Sequence, residues 1–259
     1  MDLGMLIILL ATLFVVAYVL GSVVASSGVE SLVAAFTSWE FKSALSLSLV
    51  AASLATLLAT PLAVVVAYLL SRRAGFTPLL VESILSLPFM LTPVATGSIV
   101  LLFIVQTSVG RALNNALNLL FTLNGAVLVQ FVLAFSTMIT PMTDAFKNVS
   151  VEYEHVSRTL GHGVLSTFFN VVIPLAKRGL VSSILMGFMK AFSDFGATVM
   201  VAGMILGKTA TLPGAIYVEM STGNINVALA MILLSVVVSL SISIVARVMR
   251  SGGWGRSRG

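Results

Sequence analysis

Lys190 and Asp194 are the only charged residues in the stretch from Gly179 to Gly207. Their i, i+4 spacing places an ammonium and a carboxylate on one helical face, roughly 15 Å into the stretch. At that depth in a bilayer an ionisable group is costly and faces either a partner or a cavity. Two chemistries fit. The pair can neutralise itself and pack, or Lys190 can attract an anion along a pathway, with the hydroxyl of Thr198 on the same stripe. A second group consists of backbone breakers. Pro88 and Pro93 flank Thr92, with Gly97 one turn later. Proline removes a hydrogen bond and frees carbonyls, which persist in a membrane only where protein, water or a cavity satisfies them. A packing kink and a pathway lining are equally compatible with that spacing. A third group, from Ser150 to Gly163, concentrates Glu152, Glu154, His155, Arg158 and His162 between apolar segments.

Other chemistries are excluded. The chain has no Cys, so disulfides, iron–sulfur clusters and thiolate metal sites are ruled out. His155 and His162, two imidazoles flanking a turn, are too few for a metal ligand set, and no cofactor is expected in this chain. Gly203 and Gly207-Lys208-Thr209 suggest a phosphate loop, but three residues separate the glycines where four are needed, and no strand precedes them. No nucleophile–base constellation is present, so the chain is not read as an enzyme.

The elements that must position these groups follow from composition. Of 259 residues, 58% are hydrophobic and 9% charged, whereas a soluble domain carries about 25% charged residues. Spanning a hydrocarbon core takes ~20 apolar residues. Uncharged runs beyond that length extend from Leu3 to Val29, Ser43 to Ser71, Ser83 to Gly110, Ala112 to Thr143 and Met220 to Ala246. With Gly179 to Gly207 they predict an all-α integral membrane protein of about six spans, a single domain over residues 1–259. The first run follows Asp2 rather than a basic n-region and exceeds a signal-peptide core, so it is read as a retained span. Trp39 and Phe41 suit the membrane interface. The segment between Gln106 and Asn124, rich in Asn and Gly, suits a short re-entrant or capping piece. With both termini on one side, that side holds Arg72, Arg73, Lys147, Arg158, Lys177, Arg178, Arg247, Arg250, Arg256 and Arg258. The other side holds Lys42, Arg111 and Lys208. The positive-inside bias makes both termini cytoplasmic. The basic residues punctuate apolar runs, which does not suit a nucleic-acid binder, and no internal repeat supports a secondary transporter of the inverted-repeat kind.

Ser150 is read as the N-cap of a short cytoplasmic helix, Glu152 and Glu154 suit its positive end, and Gly161 can stop it in a left-handed conformation. A second short helix is expected from Val164 toward Pro174. This loop resembles the "EAA" loop of ATP-binding-cassette importer permeases. There Glu-Ala-Ala is followed by three residues, Gly, nine residues and Ile-x-Leu-Pro. Here His155-Val156-Ser157, Gly161 and Val171-Val172-Ile173-Pro174 keep the Gly-to-Pro spacing, with His155 in place of Glu and Glu154 one residue earlier. Leu87-Pro88-Phe89-Met90-Leu91-Thr92-Pro93-Val94-Ala95-Thr96-Gly97 resembles the family's Leu-Pro-x-x-x-Pro-Pro-x-x-x-Gly. Ser193-Asp194-Phe195-Gly196-Ala197-Thr198 and Ala202-Gly203 through Thr211-Leu212-Pro213 resemble stretches of the molybdate type, with Asp194 for Glu and Met204 for Asn. Sulfate permeases share part of the pattern, and the likeness runs from about 43 to 247.

The resemblance implies a transmembrane subunit of an ATP-driven oxyanion importer, for molybdate or tungstate, with sulfate as the alternative cargo; outside the resemblance, a secondary anion transporter is the distant alternative. It implies a loop between spans four and five that couples to a cytoplasmic ATPase dimer holding ATP and magnesium, with Glu154, His155, Arg158, Gly161 and Pro174 at that joint. It further implies a second copy of the chain, an extracytoplasmic oxyanion-binding protein, and a pathway near Pro88, Thr92, Pro93, Lys190, Asp194, Thr198 and Thr211.

Overall fold

The computed structural model describes residues 29–251 together with Phe14, Tyr18, Gly21 and Ser22. Most of the first apolar run, and the tail with Arg256 and Arg258, lie outside the described residues. Among the described residues every regular element is a helix. They run α1 Val29–Thr37, α2 Trp39–Ser71, α3 Phe76–Met90, α4 Pro93–Gln106, α5 Ser108–Leu117, α6 Leu123–Lys147, α7 Val151–Thr159 and α8 Val164–Thr167. A π-turn, Phe168–Val172, leads into α9 Ile173–Phe192, followed by α10 Gly196–Ala202, α11 Leu212–Thr222 and α12 Ile225–Ser251.

Trp39–Ser71, Leu123–Lys147, Val164–Phe192 and Ile225–Val245 are each long and apolar enough to cross a membrane. The pair α3 and α4 makes a fifth if it is counted as one span, although it bends by 105°. The run Ser83 to Gly110 is therefore a broken element rather than a kinked rod. The run Ala112 to Thr143 also divides. Asn118 and Phe121 take positive φ values of 50° and 56°, and they separate the ten-residue α5 from α6.

Packing follows side-chain size. On α2, Ala51, Ala55, Ala59, Ala63 and Ala67 recur every four residues and are fully buried, while Leu57, Leu58, Leu62, Val65 and Leu69 remain exposed. Small residues on one stripe let backbones approach closely, which drives helix association where lipid removes the hydrophobic incentive. The stripe faces the core that α6 supplies with Ala134, Met138, Ile139, Met142 and Phe146. Gly179 and Gly187 seat α9 against Ala145 and Met138 of α6. Trp39 is exposed as expected at an interface, but Phe41 is not; it is buried with its ring edge-on to Phe36 at 5.2 Å.

Candidate functional site

Two clusters of chemistry-bearing residues are held by this bundle. The first is the hairpin between α6 and α9. Ser150 caps α7 by accepting from the Glu152 amide at 3.2 Å. Gly161 ends α7 at φ +90° with open space on its Cβ side, and the His162 amide returns to the Ser157 carbonyl at 3.2 Å. The buried hydroxyls of Ser157 and Thr167 meet at 3.0 Å and tie α7 to α8. Pro174 stands in the first turn of α9, directly after the π-turn. A proline has no N–H and crowds the carbonyl four residues back. The widened turn, in which the Ile173 amide reaches back to the Phe168 carbonyl, relieves that crowding.

The faces of this hairpin differ sharply. Tyr153, Val156, Leu160, Val164, Leu165 and Phe169 are all exposed, Leu160 by 75% and Leu165 by 73%. His155 and Arg158 share the exposed side. Glu154 does not, being only 3% exposed. It accepts from Arg72 Nε at 2.6 Å and from the Tyr68 hydroxyl at 2.7 Å, and Arg158 approaches at 3.8 Å. Glu154 thus fastens the hairpin inward, to α2. Arg72 and Tyr68 were missed in the sequence, where Arg72-Arg73 reads as topological punctuation.

The second cluster lies where the two broken helices meet. At the bend, Thr92 caps α4 through the Ala95 amide at 3.3 Å, and the Thr96 hydroxyl donates to the Pro88 carbonyl at 3.3 Å. That carbonyl lacks a helical partner because α3 ends at Met90, short of the Thr92 amide that would otherwise reach it. The expectation that Lys190 and Asp194 share a helical face is corrected here. The helix ends at Phe192, and Asp194 serves the next one, accepting from the Thr198 amide at 2.8 Å and the Thr198 hydroxyl at 2.7 Å. A carboxylate satisfying the first free amides of α10 favours a new helix start over continuation of α9.

Among the described residues, no ion pair joins Lys190 to Asp194. The half-buried Lys190 instead places its ammonium 5.7 Å from the centre of the Phe89 ring, a cation–π contact. Pro93, Val94, Lys190, Ser193, Asp194, Phe195 and Gly196 line one open cavity of about 290 Å³. The structure therefore brings Pro93, Lys190 and Asp194 together, with Pro88 and Thr92 in the adjoining bend and Thr198 behind Asp194. Thr211 is outside that lining. It is buried at the start of α11, next to Leu212, whose amide donates to the Ser48 hydroxyl of α2. Gln130 of α6, overlooked as a lone amide in an apolar run, donates to Thr198 at 3.3 Å.

The family model for the "binding-protein-dependent transport system inner membrane component" matches residues 61–251, a range that includes both clusters. The chain belongs to this family. It is a multi-pass membrane permease subunit of the ATP-binding-cassette importers. The molybdenum transport system permease protein ModB of Escherichia coli (strain K12) is 33% identical over 199 residues, 72% of this chain and 87% of the relative. A probable molybdenum ABC transporter permease protein of Haloferax volcanii is 28% identical over 96% of this chain and 91% of the relative. The sulfate transport system permease protein CysW of a Synechocystis strain is 31% identical over 76% of this chain and 71% of the relative. A solved bacterial ABC transporter involved in alginate import shares the permease fold, with a TM-score of 0.58 at 17% identity over 84% of this chain and 78% of that one.

Proposed function

We propose that this permease forms the translocation pathway for an oxyanion, molybdate or tungstate, by alternating access driven by a separate ATPase. The observation that supports coupling is the two-faced hairpin. An apolar surface of Tyr153, Val156, Leu160 and Leu165 projects from the bundle while its root is anchored by Glu154. A cytoplasmic helix with that much exposed apolar area has the character of a docking surface. His155, Arg158 and the Gly161 turn sit on the docking side, and Pro174 fixes where the hairpin joins α9.

The names of the relatives support the cargo. Molybdate is a dianion, and moving one into an inside-negative cell opposes ~4.6 kcal/mol per 100 mV, twice the single-charge value. Such uptake needs an energy source, and ATP with magnesium would be held by the ATPase dimer. Two copies of the chain would enclose the pathway at their interface, with both termini cytoplasmic. An extracytoplasmic binding protein would deliver the cargo at the face opposite the hairpin. Sulfate is the second reading, favoured by the likeness to the sulfate permease.

The test is vanadate-sensitive ATPase activity in proteoliposomes containing this chain, its ATPase and the binding protein. Stimulation by molybdate- or tungstate-loaded binding protein, abolished when residues 154–161 are replaced, is the expected result. Stimulation by sulfate alone would move the cargo to the second reading. Anion movement without any ATPase would overturn the coupled mechanism.

A further inference from the structure

The joint between Arg72 and Glu154 ties the hairpin to a helix outside its own flanking spans. Arg72 closes the C-terminal end of α2, and its Nη1 also donates to the Phe146 carbonyl at the end of α6, at 2.9 Å. Tyr68, one turn earlier, stacks edge-on against Phe146 at 5.6 Å and Phe168 at 4.8 Å, which shields the carboxylate. A shielded charge pair resists sliding, because separating it leaves an uncompensated buried ion.

The N-terminal part of α2 also makes contacts, through the exposed Trp39 and the buried Ser48. The Trp39 ring lies against Gly207, where any Cβ would collide with it, and the Ser48 hydroxyl takes the Leu212 amide. The first contact belongs to the loop between α10 and α11, the second to the first residue of α11. At ~1.5 Å per residue, the 33-residue α2 separates its two ends by roughly 50 Å. One unbroken helix is thus gripped at one end by the hairpin and at the other by the loop 203–212.

We propose that Arg72 and Glu154 are positioning residues that make α2 a rod, transmitting displacement of the hairpin to the loop 203–212 on the opposite face. This rests on the coupling role proposed above for the hairpin. The fork is also half closed. Arg72 Nε is paired, but Nη2, its natural second arm toward a carboxylate, is buried with no acceptor. The joint can therefore tighten when the hairpin is pushed toward the bundle.

The experiment uses the full complex in proteoliposomes, with Arg72→Lys, which keeps the charge and loses the fork, and Tyr68→Phe, which removes one hydrogen bond. Because the chain has no Cys, an Ile205→Cys site carries a fluorophore that reports movement of the far loop on ATP binding. Expected for Arg72→Lys is normal co-purification of the ATPase, unchanged basal hydrolysis, about fivefold weaker stimulation by loaded binding protein, and a diminished label response. Tyr68→Phe is expected to give a smaller loss of the same kind, and it decides the matter if Arg72→Lys does not assemble. Wild-type stimulation and label response retained in full by the assembled variants would overturn the rod. Absence of stimulation in the wild-type complex would instead sink the coupling reading on which the rod rests.

Discussion

The hydroxyl of Thr198 donates to the carboxylate of Asp194 at 2.7 Å, and this bond fixes the point where α9 stops and α10 begins. Gln130 backs the same hydroxyl from α6. Asp194 is therefore occupied by structure, and Lys190 is left as the cation facing the cavity beside the bend at Thr92.

Removing that carboxylate should cost stability before it costs selectivity. Asp194→Ala strands two donors of Thr198 in a buried site, a loss of about 1–3 kcal/mol. Asp194→Asn, which keeps one acceptor oxygen, should lose less. Thermal melts of the detergent-solubilised complex rank the two. A stable Asp194→Ala complex that binds its ATPase but transports nothing would show the carboxylate acting on the cargo route directly.

For Lys190 the opposite pattern is expected. Lys190→Met should leave assembly and thermal stability intact while lowering transport about tenfold, equivalent to ~1.4 kcal/mol. Lys190→Arg should retain most of the rate, because Phe89 accepts either cation on its face. Radiolabelled oxyanion uptake at matched expression measures this. Normal uptake by Lys190→Met removes Lys190 from the pathway.

At Gly97 even one methyl group is too large. A Cβ there would stand 2.6 Å from the Ala197 Cα and 2.7 Å from its carbonyl oxygen, and backbone cannot swing aside as a side chain can. Gly97→Ala should destabilise by about 1–3 kcal/mol and lower the apparent Tm by roughly 5 °C. Unchanged melting would mean that α4 and α10 separate more easily than their contact suggests.

Gly161 tests conformation rather than space. Its φ of +90° lies where side chains are strained, yet nothing crowds its Cβ side. Gly161→Val should weaken the hairpin end and lower ATPase affinity, while Gly161→Asn should be milder, since Asn tolerates left-handed turns. Co-purification titrated against ATPase concentration reads this. Equal affinity for all three forms would show that the turn does not shape the docking face.

The hairpin was legible in the sequence because its signals are local. Ser150, Gly161 and Pro174 each act within one turn of themselves, and each sits where expected. The bend at Leu91–Thr92 was legible only as a break, since hydropathy measures how apolar a run is and not which way it points. Lys190 and Asp194 misled for a related reason. The i, i+4 rule holds only inside a continuous helix, and the acceptor side chain of Asp194 is what ends that continuity. The burial of Glu154 could not be read from its local partner Arg158, because Tyr68 and Arg72, which enclose it, are 86 and 82 residues away.

The alanine comb on α2 sets how this chain can drift. Its five buried teeth, Ala51 to Ala67, accept no added carbon without prising the bundle open, while the outward leucines and valines need only stay greasy. A saturation library of α2 should therefore return a band of intolerance along one face, widened by Ala44, Ser48, Ala52 and Thr56 beside the comb. Related sequences would read as freely shuffled on one side of this helix and frozen on the other.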